Sequence, residues 1–310
     1  MTSSAPIKAR VFRPDPEFPA DPPLRVTRPV DVGYQGAASA LVLSSPHSGD
    51  IYPASFKAYS QLDPLTLRRS EDAFIHELYI DGPSRGAPLL EALFPRAYCD
   101  PNRSAYELDP GMFDTPLPPH VVTESSKIGA GLGTIARVVA GGLEIYKSKI
   151  PFAEAERRVE TCWRPYHNML EQLLRDARAQ HGVALLLDCH SMPSVGGNNM
   201  PDAGQRRADM VLGDFHGTSC PARLVERVEG YLASCGFGVA RNKPYAGGYI
   251  TQHYARRDQS YFTLQLEINR DLYMDEAKIV KSAGFARVQR AMTGLIELLI
   301  ASATPDFLQG

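Results

Sequence analysis

Apolar residues in this chain fall into short unbroken runs that stop at polar, turn-forming residues. Stretches of helical period lie between them. Ala40–Ser45, Val183–Asp188 and Tyr261–Leu266 are the strongest runs, and shorter ones occur within 86–94, at Met210–Gly213 and at 236–240. Runs with so little alternation predict strands covered on both faces, which is the habit of a parallel sheet and not of an exposed hairpin. Helical spacing is predicted over 71–81, with Ser70 as its cap, over 151–180, 221–235 and 275–303. In the second of these, Val159, Cys162, Trp163, Tyr166, Met169, Leu170, Leu173 and Leu174 make one stripe, Pro165 predicts a kink, and His181-Gly182 predicts the stop. Strands alternating with helices define an α/β fold of doubly wound type, within one domain from 39 to 305.

Residues 1–38 depart from the pattern. Pro6, Pro14, Pro16, Pro19, Pro22 and Pro23 crowd a segment with little period, which predicts an extended arm lying on the domain. The Pro- and Gly-rich span 110–133 reads as a long excursion of the kind that walls or covers a site. The chain is 44% apolar and 22% charged with a formal charge of −2, so no basic footprint for nucleic acid or anionic lipid is present. No run is long enough to span a bilayer and no apolar leader opens the chain, so a cytoplasmic protein is expected. Cys99, Cys162, Cys189, Cys220 and Cys235 are odd in number and widely spaced, which argues against a disulfide framework or a zinc ribbon.

The candidate chemistry lies where the runs end. Val183–Asp188 leads into Cys189-His190, Ala40–Ser45 into Pro46-His47, and Met210–Gly213 into Asp214-Phe215-His216. The carboxyl ends of strands in an open α/β sheet are where ligands bind, so His47 and His190 are candidate metal ligands and His216 a rival or a substrate-facing group. On the helix expected over 71–81, Asp72 shares the inner face with Ile75, Leu78 and Tyr79; it is a candidate third ligand, whereas Glu71 suits the helix dipole. Arg103, in a polar turn after a short apolar run, has the planar fork that grips a carboxylate, and Arg137 is a second candidate anion contact, which together suggest an acidic substrate. Gly247-Gly248 allows close approach of backbone to a ligand. Glu267 closes an apolar strand, where a carboxylate is costly unless it is used or paired, for example with Arg270. No G-x-G-x-x-G follows any strand, which removes a dinucleotide-binding dehydrogenase.

With these residues in place the chain resembles the N-formylglutamate amidohydrolase family. The matching segments are Ser45-Pro-His-Ser-Gly49, Glu71-Asp72 with Glu77-Leu-Tyr79, Asp100-Pro-Asn-Arg103, Gly133-Thr-Ile-Ala-Arg137 with Ile145-Tyr146, Asp188-Cys-His-Ser-Met-Pro193, Asn242-Lys-Pro-Tyr-Ala-Gly-Gly248 and Gln265-Leu-Glu-Ile-Asn269. Seven short motifs in one order span about 40 to 300. The resemblance implies a phosphorylase/hydrolase-like fold of the zinc carboxypeptidase type, with a mixed, mostly parallel sheet of about eight strands sandwiched by helices. It implies one Zn2+ at the strand ends, with another divalent metal as the alternative, held by His47, His190 and a carboxylate. Asp72 is favoured for that carboxylate over Asp50, the residue three past His47. The substrate would be held by Asn102 and Arg103, with Asn242, Gly247 and Gly248 alongside; Glu267 would be the general base and Arg137 an assisting cation. The implied activity is hydrolysis of N-formyl-L-glutamate to formate and L-glutamate. Other N-acyl amino acids or small peptides are the alternative substrates, and a non-catalytic binder of an acidic ligand is the alternative from another class.

Overall fold

In the computed structural model, which describes residues 18–197 and 200–310, the apolar runs assemble into one seven-stranded sheet. The strands are β1 (Leu24–Thr27), β2 (Leu41–Ser45), β3 (Leu89–Ala92), β4 (Ala184–Met192), β5 (Met210–Gly213), β6 (Val239–Arg241) and β7 (Tyr261–Asn269), in the spatial order β1-β3-β2-β4-β7-β5-β6. The centre of the sheet, β3-β2-β4-β7, is parallel, while β1 runs antiparallel to β3 and β5 antiparallel to β7. The mixed, mostly parallel α/β architecture is thus as expected, with seven strands in this sheet.

Side chains of β4 and β7 alternate between two cores. Leu185, Leu187, Leu264 and Leu266 meet α3 (Ala222–Ser234) and α5 (Phe285–Ser302) on one side; Ala184, Leu186 and Tyr261 meet α2 (Arg164–His181) on the other. The second face carries the chemistry, because Asp188 and His190 continue the parity of Ala184 and Leu186, and Gln265 and Glu267 that of Tyr261. α2 is the continuation of α1 (Phe152–Arg158) through one wide π turn, Val159–Trp163. Pro165 has no N–H to give to the preceding turn, so the helix widens there and does not break. Gly182, at φ 75°, ends it.

Several boundaries differ from expectation. β4 does not stop before His190. Nine residues of β4 pair in register with nine of β7, Asp188 opposite Gln265 and His190 opposite Glu267, so both imidazole and carboxylate stand within strands. The predicted helix over 71–81 is a single turn, Ile75–Leu78, preceded by Phe74 at φ 65°, and Asp72 sits in the turn before it. The terminal helix begins at Phe285, ten residues late, because Met274–Asp275 and Val280–Lys281 form a small hairpin. The last residues form a helical turn, Pro305–Gln309, capped by Thr304 and anchored by buried Leu308. Part of the arm expected over 1–38 enters the sheet as β1, with Phe18 and Leu24 buried. Residues 1–17 of that arm, and Asn198 and Asn199 of the polar loop after β4, lie outside the described residues. The excursion 110–133 has its own small core of Leu108, Met112, Phe113, Val121, Ile135 and Ile150. All five cysteines are free thiols, and no described helix is long and apolar enough to cross a membrane.

Candidate metal centre and active site

Three buried side chains from three segments converge at the carboxyl ends of β2 and β4. His47 comes from the turn after β2, His190 from β4, and Asp72 from the turn whose N–H donates to the His47 carbonyl at 3.0 Å. One ligating atom of each lies within 4.8 Å of the other two. Asp72 Oδ2 is 3.0 Å from His190 Nδ1 and 3.3 Å from His47 Nδ1. The far nitrogen of each ring faces a second carboxylate: His47 Nε2 is 2.7 Å from Asp100 Oδ1, and His190 Nε2 is 3.1 Å from Asp188 Oδ2.

That outer pair decides the tautomers. An ionised carboxylate only accepts, so each Nε2 carries a hydrogen, and in the neutral ring Nδ1 presents a lone pair inward. Neutral rings would set two lone pairs and the Asp72 oxygen against one another, an arrangement that is repulsive unless protons or a metal ion lie among them. The buried Nδ1 of His47 has no hydrogen-bond partner, which fits the need for such a cation. Imidazoles held by carboxylates at their outer nitrogens, with one carboxylate alongside, are the donor set of a catalytic zinc site. The residues therefore fit the metal that the sequence suggests. Asp72 is fixed from behind: its Oδ1 accepts from Arg270 Nη2 at 3.0 Å and from the Ser191 hydroxyl at 3.1 Å, which leaves Oδ2 to the imidazoles. Burial works against its charge, but His190 and His47 hold the Asp72 carboxyl well below the usual range. For His190 burial also opposes the charge, and Asp188 overrides it and raises the imidazole.

The rivals for the third position lie elsewhere. Asp50 is exposed, and Glu71 is buried against Arg68 and Tyr52, with its Oε2 2.9 Å from Arg68 Nη2. His216 is exposed on a turn at φ 56° and takes no part in the cluster. Glu267 is 7% exposed, opposite His190 in register, and burial pushes its carboxyl up to about 8 against the pull of His190. The ion pair with Arg270 considered for it does not form, because Arg270 is bound to Asp72, Ser191 and the Arg69 carbonyl.

The expected substrate-binding residues separate into two groups. Asn102 is buried, with Nδ2 3.2 Å from His190 Nε2 and Oδ1 accepting from Ile250 N at 2.8 Å. Gly248 lies so close that a Cβ there would be 2.3 Å from Asn102 Nδ2, which explains the glycine. Gly247, at φ 126°, turns the chain into α4 (Tyr249–Tyr254). Arg103 is held by the carbonyls of Leu132 at 2.9 Å and Asn102 at 2.7 Å and pairs with no carboxylate among the described residues. Asn242, by contrast, has its carboxamide engaged with the Asp214 turn, donating to Asp214 Oδ1 at 2.7 Å and accepting from Asp214 N at 3.2 Å. Arg137 is bound to Asp109 at 2.8 Å and Glu144 at 3.0 Å and hydrogen-bonds to none of the groups above. Each is thus tied to a segment 28 residues away, Asn242 to Asp214 and Arg137 to Asp109.

Further residues surround the cluster. Asp100 accepts from His47, from the backbone of Asn102 at 2.8 Å and from Arg96 Nη2 at 2.8 Å. Burial opposes its charge, yet Arg96, then His47 and Arg103, hold it well below the usual carboxylate range. The signal was present in Asp100-Pro-Asn-Arg103. Arg96 and Lys127 carried none. Lys127 is exposed, has no ion-pair or hydrogen-bond partner for its ammonium among the described residues, and is lowered by partial burial and by the nearby charges of Arg103 and Arg96. The turn that carries it is tied to Arg103, since Leu132 N donates to the Lys127 carbonyl at 2.8 Å and Leu132 O accepts from Arg103 Nε. His167 is scaffold: Nε2 donates to the Pro101 carbonyl at 2.8 Å and Nδ1 accepts from Tyr254 at 2.9 Å.

The strand-end group of two imidazoles and a carboxylate could hold a metal ion, and a buried glutamate stands beside it, an arrangement suited to hydrolysis. Residues 39–274 match the model of the N-formylglutamate amidohydrolase family, and the chain belongs to that family. It is 30% identical over 267 residues to the N-formylglutamate deformylase of Pseudomonas aeruginosa, covering 84% of this chain and 92% of the relative. The N-formylglutamate deformylase of Pseudomonas putida is 29% identical over 245 residues, covering 77% and 83%. The crystal structure of N-formylglutamate amidohydrolase from Ralstonia eutropha JMP134 superposes with a TM-score of 0.82 at 35% identity, covering 91% of this chain and 98% of that one.

Proposed function

We propose that the chain hydrolyses N-formyl-L-glutamate to formate and L-glutamate, with a zinc ion held by His47 Nδ1, His190 Nδ1 and Asp72. The observation that carries the reading is the inward convergence of those three groups, each braced from outside, on the strand face that also bears Glu267. A zinc ion there supplies Lewis acidity toward the formyl carbonyl and makes water acidic enough to react near neutral pH.

In its ionised form Glu267 takes a proton from water as the water oxygen attacks the formyl carbon, and it returns the proton to the glutamate nitrogen as the C–N bond breaks. The carboxylates of the substrate call for cations without partners, and Arg103 and Lys127 are two such groups on one side of the centre. Arg103, fixed by two carbonyls, offers its remaining N–H groups to one carboxylate; Lys127, on a flexible stem in the 110–133 excursion, suits the other. Asn102 holds the floor of the site between His190 and α4. The family's name and the deformylase names of both curated relatives agree with this substrate.

The test is formate release by the purified protein from N-formyl-L-glutamate, set beside N-formyl-L-glutamine and N-acetyl-L-glutamate. Turnover of the first, with a large loss on removing the side-chain charge, is expected. Turnover of the N-acetyl compound in preference would move the reading to another N-acyl amino acid, and binding without turnover would end the hydrolase reading. The bound metal is read by elemental analysis, and cytoplasmic residence by fractionating the cells that make the protein.

A further inference from the structure

Gln265 stands two residues before Glu267 on β7, so the two side chains project from the same face of the sheet. Its carboxamide, 3% exposed, is engaged at both ends. Nε2 donates to Glu267 Oε1 at 2.9 Å, while Oε1 accepts from Gly248 N at 2.9 Å and lies 3.3 Å from the Thr251 hydroxyl. The orientation of the amide is not free. Turning it over would set the NH2 group against the Gly248 N–H, donor against donor, and an oxygen against the ionised carboxylate of Glu267, replacing two attractive contacts with two repulsive ones.

The chain of bonds runs from the Gly247–Gly248 loop, packed on Asn102 beside His190, to the carboxylate. Gly248 is packed on Asn102, Ile250 N donates to Asn102 Oδ1, and Thr251 closes the same helical turn over Gln265. We propose that Gln265 is a positioning residue for the hydrolysis: it fixes Glu267 through Oε1, leaves Oε2 to meet the water, and ties the place of that carboxylate to the Gly247–Gly248 loop. The inference rests on the reading of Glu267 as general base. A carboxylate on a three-bond stem that loses its one amide anchor samples rotamers in which it no longer faces the water, and misplacement by about 1 Å costs on the order of 100-fold in rate.

The experiment is a double-mutant cycle of Gln265→Met, close in length and volume, with Glu267→Gln, following kcat, KM and bound zinc on N-formyl-L-glutamate. Gln265→Met is expected to lower kcat by about 10- to 100-fold with KM and zinc content close to those of the parent. In the Glu267→Gln background the same substitution is expected to change kcat little, because there is no base left to position. An equal loss in both backgrounds, or a loss confined to KM, overturns the inference. Thr251→Val, which removes one support of the Gln265 oxygen, gives a second measure should the methionine variant not fold. Its loss in kcat must also vanish in the Glu267→Gln background, and no loss, or an equal loss, overturns the inference. A Glu267→Gln enzyme with the parent's rate refutes the base itself, a result distinct from failure of the cycle.

Discussion

Asp100→Asn isolates the outer support of the metal centre from the ligands themselves. Asp100 receives three donors: His47 Nε2 at 2.7 Å and Asn102 N at 2.8 Å on Oδ1, and Arg96 Nη2 at 2.8 Å on Oδ2. An asparagine keeps the shape but has only one acceptor, and two donors compete for it on the Oδ1 side. Its NH2 group is therefore turned toward the Arg96 guanidinium, donor against donor. His47 keeps a neutral acceptor in place of a charged one, and the lone pair it presents inward becomes a weaker ligand. Losing such an outer partner typically lowers metal affinity about 10- to 100-fold, or roughly 1.4–2.7 kcal/mol. A second cost falls on the fold. Removing one partner of a fully buried ion pair costs about 3–5 kcal/mol. The Arg96 side chain is 23% exposed and remains partly hydrated, so a smaller loss is expected. Competition with a chromogenic chelator near neutral pH measures the first effect and denaturant unfolding of the metal-free protein the second. A folded Asp100→Asn protein that binds zinc as tightly as the parent would refute the idea that Asp100 tunes His47 as a ligand.

Four further outcomes are expected. Glu267→Gln should keep its zinc and its KM while kcat falls by roughly 10²–10⁴-fold, and steady-state kinetics with metal analysis checks this. Arg103→Ala should cost about 2–5 kcal/mol in kcat/KM, and Lys127→Met should narrow the preference for N-formyl-L-glutamate over N-formyl-L-glutamine; an unchanged ratio would remove Lys127 from the pocket. His167, whose imidazole burial pushes down to about 4, is neutral in the fold while the unfolded chain takes up a proton below its ordinary 6.5. Stability from this group is thus full above pH 6.5 and falls as the pH drops toward 4, by up to about 3 kcal/mol relative to His167→Gln, as unfolding titrations of the two proteins would show.

The parts of the structure that were legible in the sequence are those fixed by short-range pattern. β2, β4 and β7 were visible as unbroken apolar runs because strands buried on both faces have no polar face to interrupt them. His47 and His190 were visible because they follow such runs. What was not legible depends on partners far away in the chain. Asp72 was identified by a helical face that does not exist; it reaches the centre from a turn, held by Arg270, 198 residues away. His190 was expected in a loop because its polarity signals a strand end, yet the long register with β7 keeps it in the ladder. Asn242 and Arg137 have the composition of ligand-binding residues, and their partners, Asp214 for one and Asp109 and Glu144 for the other, were not legible because they lie in other segments of the chain. Lys127 belongs to no pattern, since a lysine in a Pro- and Gly-rich span is indistinguishable from a solvated one until the fold brings it beside Arg103.

The most direct measurement is formate release from N-formyl-L-glutamate by one preparation assayed as purified, after stripping with chelator, and after return of one equivalent of zinc, with bound metal counted at each stage. Activity is expected to vanish with the metal and to return with it in the parent, and not to return in His190→Ala. A stripped protein, shown free of metal, that still released formate at the original rate would contradict the assignment of His47, Asp72 and His190 as the centre of the reaction.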